Sequence, residues 1–257
     1  MKKSFSVMLA FLLIFGCMSI TSFADNTSAT VYVSIANKGK LVVAQEEVTV
    51  TDIDGDNALT VNDALYAVHS IAFPGGAKEG YSYYTHKDYG LSLGKLWGDT
   101  SGNFGYYINN KSCWSLADSV KTGDYLNAFV YSDSKNYSDK YCFFSSYTVT
   151  ADANSNIELT LSGAGYDANW NPVTLPVANA EITVDGTKTG IKTDANGNAT
   201  IQISGAGKHI ISAVSASETL VPPVCTAQIN GGILASVLSA ITSFFSAIIN
   251  FIHSIFA

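Results

Sequence analysis

The sequence predicts an α+β domain, followed by an all-β sandwich and then by an apolar C-terminal helix. In the first half, a hairpin of strands precedes one amphipathic helix and further aromatic-rich strands. In the second half, short alternating segments are separated by turns rich in Gly, Asn and Asp. The final 25 residues, 233–257, contain no Asp, Glu, Lys or Arg.

The N-terminus has the pattern of a secretory signal peptide spanning residues 1–24. Lys2 and Lys3 precede an apolar run over 7–15, and the small-x-small triplet at 22–24 fits a cleavage site after Ala24. A second interpretation is a lipobox over 14–17 that would be lipidated at Cys17, although Phe15 is bulky where that motif has a small residue. Either pattern predicts a secreted or extracellular cell-surface protein.

Charge and cysteine content exclude several classes of function. The chain has a formal charge of −7 and no basic cluster, so nucleic acid is not an expected partner. Outside the leader the cysteines are Cys113, Cys142 and Cys225, and none forms a C-x-x-C zinc motif. A Cys113–Cys142 disulfide and buried reduced thiols are both open interpretations.

The first domain is predicted to begin with a hairpin of strands at 31–35 and 41–51, followed by a helix. Thr60 and Asp63 form a capping-box pattern, and apolar residues at 61, 64, 65, 68 and 71–72 have helical spacing. The Pro-Gly-Gly sequence at 74–76 ends the predicted helix. Further strands are expected near 105–108 and 125–131.

An acidic segment lies between the hairpin and the helix. Its carboxylates occupy positions 1, 3, 5 and 12 of a calcium-loop pattern, and Asn57 stands at position 6, where its tolerance of left-handed backbone substitutes for the usual Gly. The sequence therefore predicts a Ca²⁺ site. Alternatively, the aspartates only accept backbone hydrogen bonds in a turn before the helix. The candidate ligands are Asp52, Asp54, Asp56, Ala58, Thr60 and Asp63.

Most aromatic side chains fall between residues 81 and 147. They could stack on sugar rings, or they could pack a half-buried sheet. The four histidines are widely separated, and no nucleophile elbow, P-loop or dinucleotide motif is present. We therefore expect no catalytic residues and no enzymatic activity.

The second domain is predicted over 155–228, with strands near 157–161, 180–184, 199–203 and 209–214 and a linker starting at Pro222-Pro223. The tail, 233–257, is predicted to be a helix with one polar stripe. It could span a membrane and self-associate, lie on the membrane surface, or fold back onto the protein. The stripe comprises Ser236, Ser239, Ser243, Ser246, Asn250 and His253.

The segments 48–50, 59–65, 105–110 and 121–125 resemble a family of exported bacterial domains. That family is related to the β-grasp C-terminal domain of transcobalamin and intrinsic factor. The resemblance implies a β-grasp-like domain over 30–150. It also suggests capture of a small molecule or corrinoid as one possible function.

Two further resemblances concern the calcium loop and the second half. Residues 52–63 resemble a single calcium repeat of a dockerin. Residues 176–186 and 193–199 resemble bacterial immunoglobulin-like domains of the invasin type and carboxypeptidase regulatory-like modules, which implies an immunoglobulin-like sandwich that acts as a spacer or an adhesive unit.

Together these patterns predict a non-enzymatic exported protein that binds a ligand or contributes to adhesion, with calcium stabilising its first domain. The ligand could be a glycan, a protein or a small molecule. Corrinoid or other small-molecule capture and a purely structural spacer are the alternatives.

Overall fold

The computed structural model describes residues 27–169 and 171–231, together with 241, 244–246 and 248. The predicted leader, the alternative lipidation site at Cys17 and most of the predicted tail lie outside the described residues. Helical backbone is present at the described positions within 233–257. Within the described part of the chain, which is mostly β, no helix has the length and apolar character needed to cross a bilayer.

The first unit contains a five-stranded mixed sheet in the order β2-β1-β7-β5-β6. Strand β1 is antiparallel to β2 and parallel to β7, and β7 is antiparallel to β5. A separate hairpin, β3–β4, lies outside this sheet. The elements are β1 (Ala29–Asn37), β2 (Lys40–Val50), α1 (Val61–Ala72), α2 (Ala77–Gly80), β3 (Ser82–His86), β4 (Gly90–Lys95), β5 (Phe104–Ile108), β6 (Lys111–Ser112) and β7 (Tyr125–Val130).

Helix α1 begins at the predicted capping box. The Thr60 N–H donates to Asp63 Oδ2 at 2.8 Å, and the Asp63 N–H donates to Thr60 Oγ1 at 3.4 Å. These bonds satisfy backbone groups that have no partner inside the helix. The apolar face of α1, which includes Leu65 and Val68, packs against β1 and β2 in one buried core. The hairpin and helix predictions are therefore confirmed.

The second unit consists of two facing sheets. One has the order β11-β10-β8-β16, with β14 also paired to β10, and the other has the order β13-β12-β15-β17-β9. Inward residues from both sheets, such as Leu161 and Ile211, share one core. The strands are β8 (Lys140–Phe144), β9 (Thr148–Asp152), β10 (Ile157–Tyr166), β11 (Pro172–Pro176), β12 (Glu181–Val184), β13 (Thr187–Lys192), β14 (Asn198–Ile201), β15 (Gly207–Val214), β16 (Leu220–Val221) and β17 (Cys225–Asn230).

Two sequence expectations about the second unit need correction. Strands β8 and β9 pair with β10, β16 and β17 and belong to the second unit, so the predicted boundary at 150 falls after β8 and inside β9. Residues 225–230, expected to be a linker, form a strand because Cys225, Ala227 and Ile229 alternate into the core. Cys113, Cys142 and Cys225 are free thiols, so of the two interpretations that the sequence left open, the Cys113–Cys142 disulfide is not formed.

The two units contact each other through aromatic rings and one glutamine. Tyr107 of β5 stacks on Tyr141 of β8 with ring centroids 3.6 Å apart, and Tyr125 of β7 stacks on Tyr147 at 3.9 Å. Gln45 Nε2 donates to the carbonyl oxygens of Tyr147 and Val224, and its Oε1 accepts from the Thr226 hydroxyl.

Candidate functional site

The acidic loop between β2 and α1 brings three of the predicted ligands together. One carboxylate oxygen each from Asp52, Asp54 and Asp63 lies within 4.8 Å of the other two. Gly55 and Asn57 have φ values of +78° and +64°, so both adopt the left-handed backbone that this curl requires. The sequence spacing therefore corresponds to a real convergence of oxygen atoms.

Hydrogen bonds inside the loop hold these carboxylates in place. Asp52 accepts from the N–H groups of Gly55 at 2.7 Å and Asn57 at 2.9 Å. Asp54 Oδ2 accepts from Asn62 Nδ2 at 2.9 Å, and Asp63 Oδ1 accepts from the Ile53 N–H at 3.0 Å. Such bonds match the alternative interpretation from the sequence, in which the aspartates accept backbone hydrogen bonds in a turn before the helix. Because each carboxylate oxygen has two lone pairs, the same oxygens can also coordinate an ion.

The electrostatics of the loop differ between its aspartates. A hydrogen bond from the Asn57 backbone lowers the pKa of Asp52 below its usual value. Partial loss of solvent around the carboxylate raises the pKa of Asp54, and the charges of Asp56 and Asp63 raise it further. Asp54 is therefore the carboxylate whose charge is least favourable in the absence of a cation.

The set of donor atoms fits a hard divalent cation. Calcium binds carboxylate oxygens at about 2.3–2.6 Å, so oxygens on one ion lie at most about 5 Å apart. The 4.8 Å limit among Asp52, Asp54 and Asp63 meets this condition. Asp54 is exposed, which leaves the position open to solvent, whereas Asp63 is buried and fixed by the helix cap.

The other predicted ligands have different contacts. Asp56 Oδ1 accepts from the Ala58 N–H at 2.8 Å and does not belong to the group of three converging carboxylates. The Thr60 hydroxyl donates to Asp63 Oδ2 at 2.7 Å and is buried. In this structure Thr60 therefore positions Asp63, and Asp56 shapes the loop.

The aromatic residues divide into packed and exposed groups. Most pack as a half-buried sheet would, including Phe129 and Tyr141, which contribute to the contact between the two units. Tyr84, Tyr89 and Trp114 are exposed, and Trp114 is 95% accessible. Sequence reasoning missed the β3–β4 hairpin that carries two of these rings, although the Lys87-Asp88 turn followed by Gly90 was a signal for it.

The contact between the two units leaves little room for a ligand. Its crevice, lined by Ser34, Asn127 and Tyr141 among others, encloses about 10 Å³. That volume is close to the minimum for a single water molecule. A larger cleft of about 390 Å³ lies instead on the first unit, between the β5–β6 turn and the segment that precedes β7.

Two of the histidines in the described part of the chain, His69 and His209, are held by hydrogen bonds, and the cleft contains one thiol, that of Cys113. His69 Nε2 accepts from the Trp97 N–H, and its Nδ1 lies 2.6 Å from the Leu65 carbonyl oxygen, so both nitrogens are engaged. His209 contacts Asp185 and the Gly205 carbonyl oxygen. Burial and the nearby charge of Asp118 raise the pKa of Cys113 to about 12, which keeps the thiol protonated at neutral pH.

Comparison with known proteins gives no family. No protein-family model matches the chain, and no curated protein matches it. The N-terminal four Ig domains of Dscam1 isoform 7.44 align with 79% of this chain and 46% of that chain, at 10% identity and a TM-score of 0.24. Sidekick-1 immunoglobulin domains 1–4 align with 79% and 49%, at 11% identity and a TM-score of 0.23. The chain thus spans less than half the length of these structures, and TM-scores this low carry no argument about fold or function.

Proposed function

We propose that this chain is a non-enzymatic, exported cell-surface module for ligand binding or adhesion, and that calcium stabilises its first domain. The observation that carries the proposal is the convergence of Asp52, Asp54 and Asp63 ahead of α1. A bound cation would offset their mutual repulsion and join the end of β2 to the start of the helix. Extracellular calcium is abundant enough to occupy even weak sites of this kind.

The arrangement of elements supports a β-grasp assignment for the first unit. A hairpin, a helix packed on one face and a later strand parallel to β1 give the order expected from the sequence resemblance. The two facing sheets of the second unit support an immunoglobulin-like sandwich. A domain of that kind would act as a spacer or an adhesive unit, and a leader over 1–24 would direct the chain out of the cell.

The non-enzymatic part of the proposal is supported by the state of the reactive side chains. The ring nitrogens of His69 and His209 are engaged in hydrogen bonds, and the Cys113 thiol is held neutral. The observed clefts also favour surface binding over capture of a corrinoid between the units, because the crevice at that contact encloses only about 10 Å³ and two stacked tyrosine pairs join the units.

Calorimetry on the full chain tests the calcium proposal. Titration with CaCl₂ is expected to show one ion bound per chain, and calcium at a hundredfold excess over its Kd should add about 2.7 kcal/mol to the free energy of unfolding. Asp54→Ala should abolish both effects, because it removes one of the three converging carboxylates.

Asp133→Ala is the matched control. Asp133 accepts backbone hydrogen bonds from Lys135 and Asn136 in an acidic turn elsewhere in the chain. This variant should melt at a lower temperature, but calcium should raise its free energy of unfolding by the same amount as in the unaltered chain. If the unaltered chain gives neither heat of binding nor a calcium-dependent melting temperature, the proposal is wrong.

A further inference from the structure

We propose that the 390 Å³ cleft on the first unit, together with the exposed rings beside it, binds an uncharged glycan chain. The cleft would hold one sugar residue, and the rings would stack on sugars that follow it. This inference rests on the proposed function, because it names the ligand class of an exported binding module.

The cleft has the size and the chemistry of a small polar ligand site. Its volume falls within the range of about 300–1,000 Å³ that is usual for ligand pockets. Its walls combine the apolar side chains of Ile108 and Val120 with the polar side chains of Lys111, Asp118 and Ser119. A sugar hydroxyl both donates and accepts, so it needs donors and acceptors side by side, and the cleft supplies both.

The polar groups in the cleft differ in how far the protein itself already uses them. Both oxygens of Asp124 are engaged, one by Asn109 Nδ2 at 2.8 Å and the other by the Lys121 N–H at 2.9 Å. Within the described chain, the ammonium groups of Lys111 and Lys121 have no ion pair or hydrogen bond. The two lysine ammonium groups are therefore available to a ligand, whereas the Asp124 carboxylate is already engaged.

The charges of the cleft favour a neutral occupant. Lys111 and Lys121 are balanced by Asp118 and Asp124, so the lining carries no net formal charge. An anionic sugar would be attracted by the lysines but repelled by Asp118, whereas a cationic ligand would be attracted by Asp118 but repelled by the lysines. A neutral sugar meets no such conflict and can hydrogen-bond to groups of both signs.

One exposed ring, that of Trp114, lies next to the cleft along the backbone, and a backbone hydrogen bond connects its segment to the hairpin that carries Tyr89. Trp114 directly follows Cys113 of the cleft lining, and the backbone N–H of Trp114 donates to Asp118 Oδ2 at 2.8 Å. The Leu116 N–H donates to the Leu91 carbonyl oxygen at 3.4 Å, which brings the Trp114 segment against the strand that follows Tyr89. Trp114 is 95% exposed and Tyr89 is 77% exposed.

Rings this exposed contribute little to core packing and are free to meet a ligand. Tyr89 stacks on His86 with ring centroids 4.7 Å apart, and His86 meets Tyr84 edge-on at 6.5 Å, so the hairpin carries a short row of aromatic rings. Aromatic side chains combine a flat apolar surface with little conformational entropy to lose on binding. The apolar C–H faces of a pyranose chain match that surface, and its hydroxyl groups match the cleft.

Saturation-transfer NMR on the full chain in calcium buffer tests the inference. The probes are the neutral hexasaccharides of cellulose, mannan and chitin, with an oligogalacturonate as the acidic comparison. We expect at least one neutral probe to bind, and we expect Trp114→Ala to weaken that binding roughly tenfold, which corresponds to one lost aromatic contact. Lys111→Ala should weaken it as well, whereas Trp114→Phe should retain most of the affinity.

Matched surface variants exclude a general effect of substitution. Lys135→Ala and Tyr166→Ala change a lysine and an exposed tyrosine outside the cleft, and both should bind like the unaltered chain. The inference is overturned if no neutral probe binds, if only the acidic probe binds, or if Trp114→Ala binds normally.

The same samples separate this inference from the proposed function. Melting temperatures with calcium and with chelator are recorded for each variant, because the acidic loop does not include Trp114 or Lys111. If the unaltered chain binds no sugar but calcium raises its melting temperature, only the glycan inference is overturned. If the chain binds a neutral sugar but calcium does not raise its melting temperature, the calcium proposal is overturned and the glycan inference is supported.

Discussion

At the scale of single residues, His69 illustrates how burial decides a charge state. The Trp97 N–H donates to Nε2 at 3.0 Å, so the proton of the neutral ring is on Nδ1, which donates to the Leu65 carbonyl oxygen at 2.6 Å. Burial lowers the pKa of His69 to about 4. Protonation would place a charge on a nitrogen that now accepts a hydrogen bond, inside the core.

This predicts a specific loss of stability in acid. The unfolded histidine titrates near pH 6.5 and the folded one near 4, so the stabilising contribution is complete above pH 6.5 and is lost as the pH falls toward 4. The loss should reach roughly 3 kcal/mol. Urea unfolding between pH 7 and pH 4 measures it.

His69→Gln provides the comparison for that measurement. The variant should be less stable at pH 7, but its free energy of unfolding should fall less steeply between pH 6.5 and pH 4, because one titrating group is absent. An equal slope in both proteins would contradict the assigned state of His69.

At the scale of single elements, the start of α1 couples the helix to the acidic loop. Thr60 and Asp63 cap the helix, and Asp63 also accepts from the Ile53 N–H in the loop. The next two helix donors, the N–H groups of Val61 and Asn62, bond to the carbonyl oxygens of Asp118 and Leu116. The helix terminus therefore braces the segment that forms one wall of the cleft.

Loss of this cap should have a measurable cost. Thr60→Ala removes the hydroxyl that pairs with Asp63 and should lower the free energy of unfolding by about 1 kcal/mol. Thr60→Ser keeps the hydroxyl and should retain most of the stability. Chemical denaturation of the two variants measures the difference, and equal destabilisation would show that the methyl group, rather than the cap, is what matters.

Elements specified by neighbouring residues were predictable from the sequence. The hairpin, helix α1 and its cap follow from alternation, helical spacing and the Thr60–Asp63 pair. The same local spacing indicated Asp52, Asp54 and Asp63 as a cluster. By contrast, the predicted first domain includes β8 and the first part of β9, because the membership of these strands in the second unit depends on pairing with the distant strands β10, β16 and β17.

The cleft could not be predicted for the same reason. Lys111, Asp118 and Ser119 are close in sequence, but their pattern matches no known motif. Their arrangement depends on contacts with Leu91 and with the first turn of α1, which are remote along the chain. The volume of the cleft and the exposure of Trp114 are therefore visible in the folded structure and not in the sequence.

At the scale of the whole molecule, Gln45 links the two units through hydrogen bonds. It lies in a bulge of β2, where the register against β1 shifts, and its φ of +47° is left-handed. This conformation is uncommon for a residue other than Gly, Asn or Asp. The buried Gln45 side chain then meets two carbonyl oxygens and one hydroxyl of the second unit.

Removal of that side chain should weaken the contact between the units. Gln45→Ala leaves the buried carbonyl oxygen of Val224 and the partly buried one of Tyr147 without this donor, so we expect a loss of about 1–3 kcal/mol in the free energy of unfolding. Gln202→Ala removes a glutamine whose hydrogen bond is exposed, and it should change stability little.

Hydrogen exchange locates the effect of Gln45→Ala within the molecule. Faster exchange is expected at the amides of Thr226 and of residues near Tyr147, on the side of the second unit that faces Gln45. Unchanged exchange and unchanged stability would mean that the stacked tyrosines alone hold the units together.

The central claim is that a divalent cation held ahead of the first helix organises the first unit of this chain. A crystal structure of the full chain grown in millimolar CaCl₂, with anomalous diffraction, tests it most directly. We predict one anomalous peak coordinated by oxygens of Asp52, Asp54 and Asp63. A well-ordered acidic loop with no ion between these three carboxylates would contradict it.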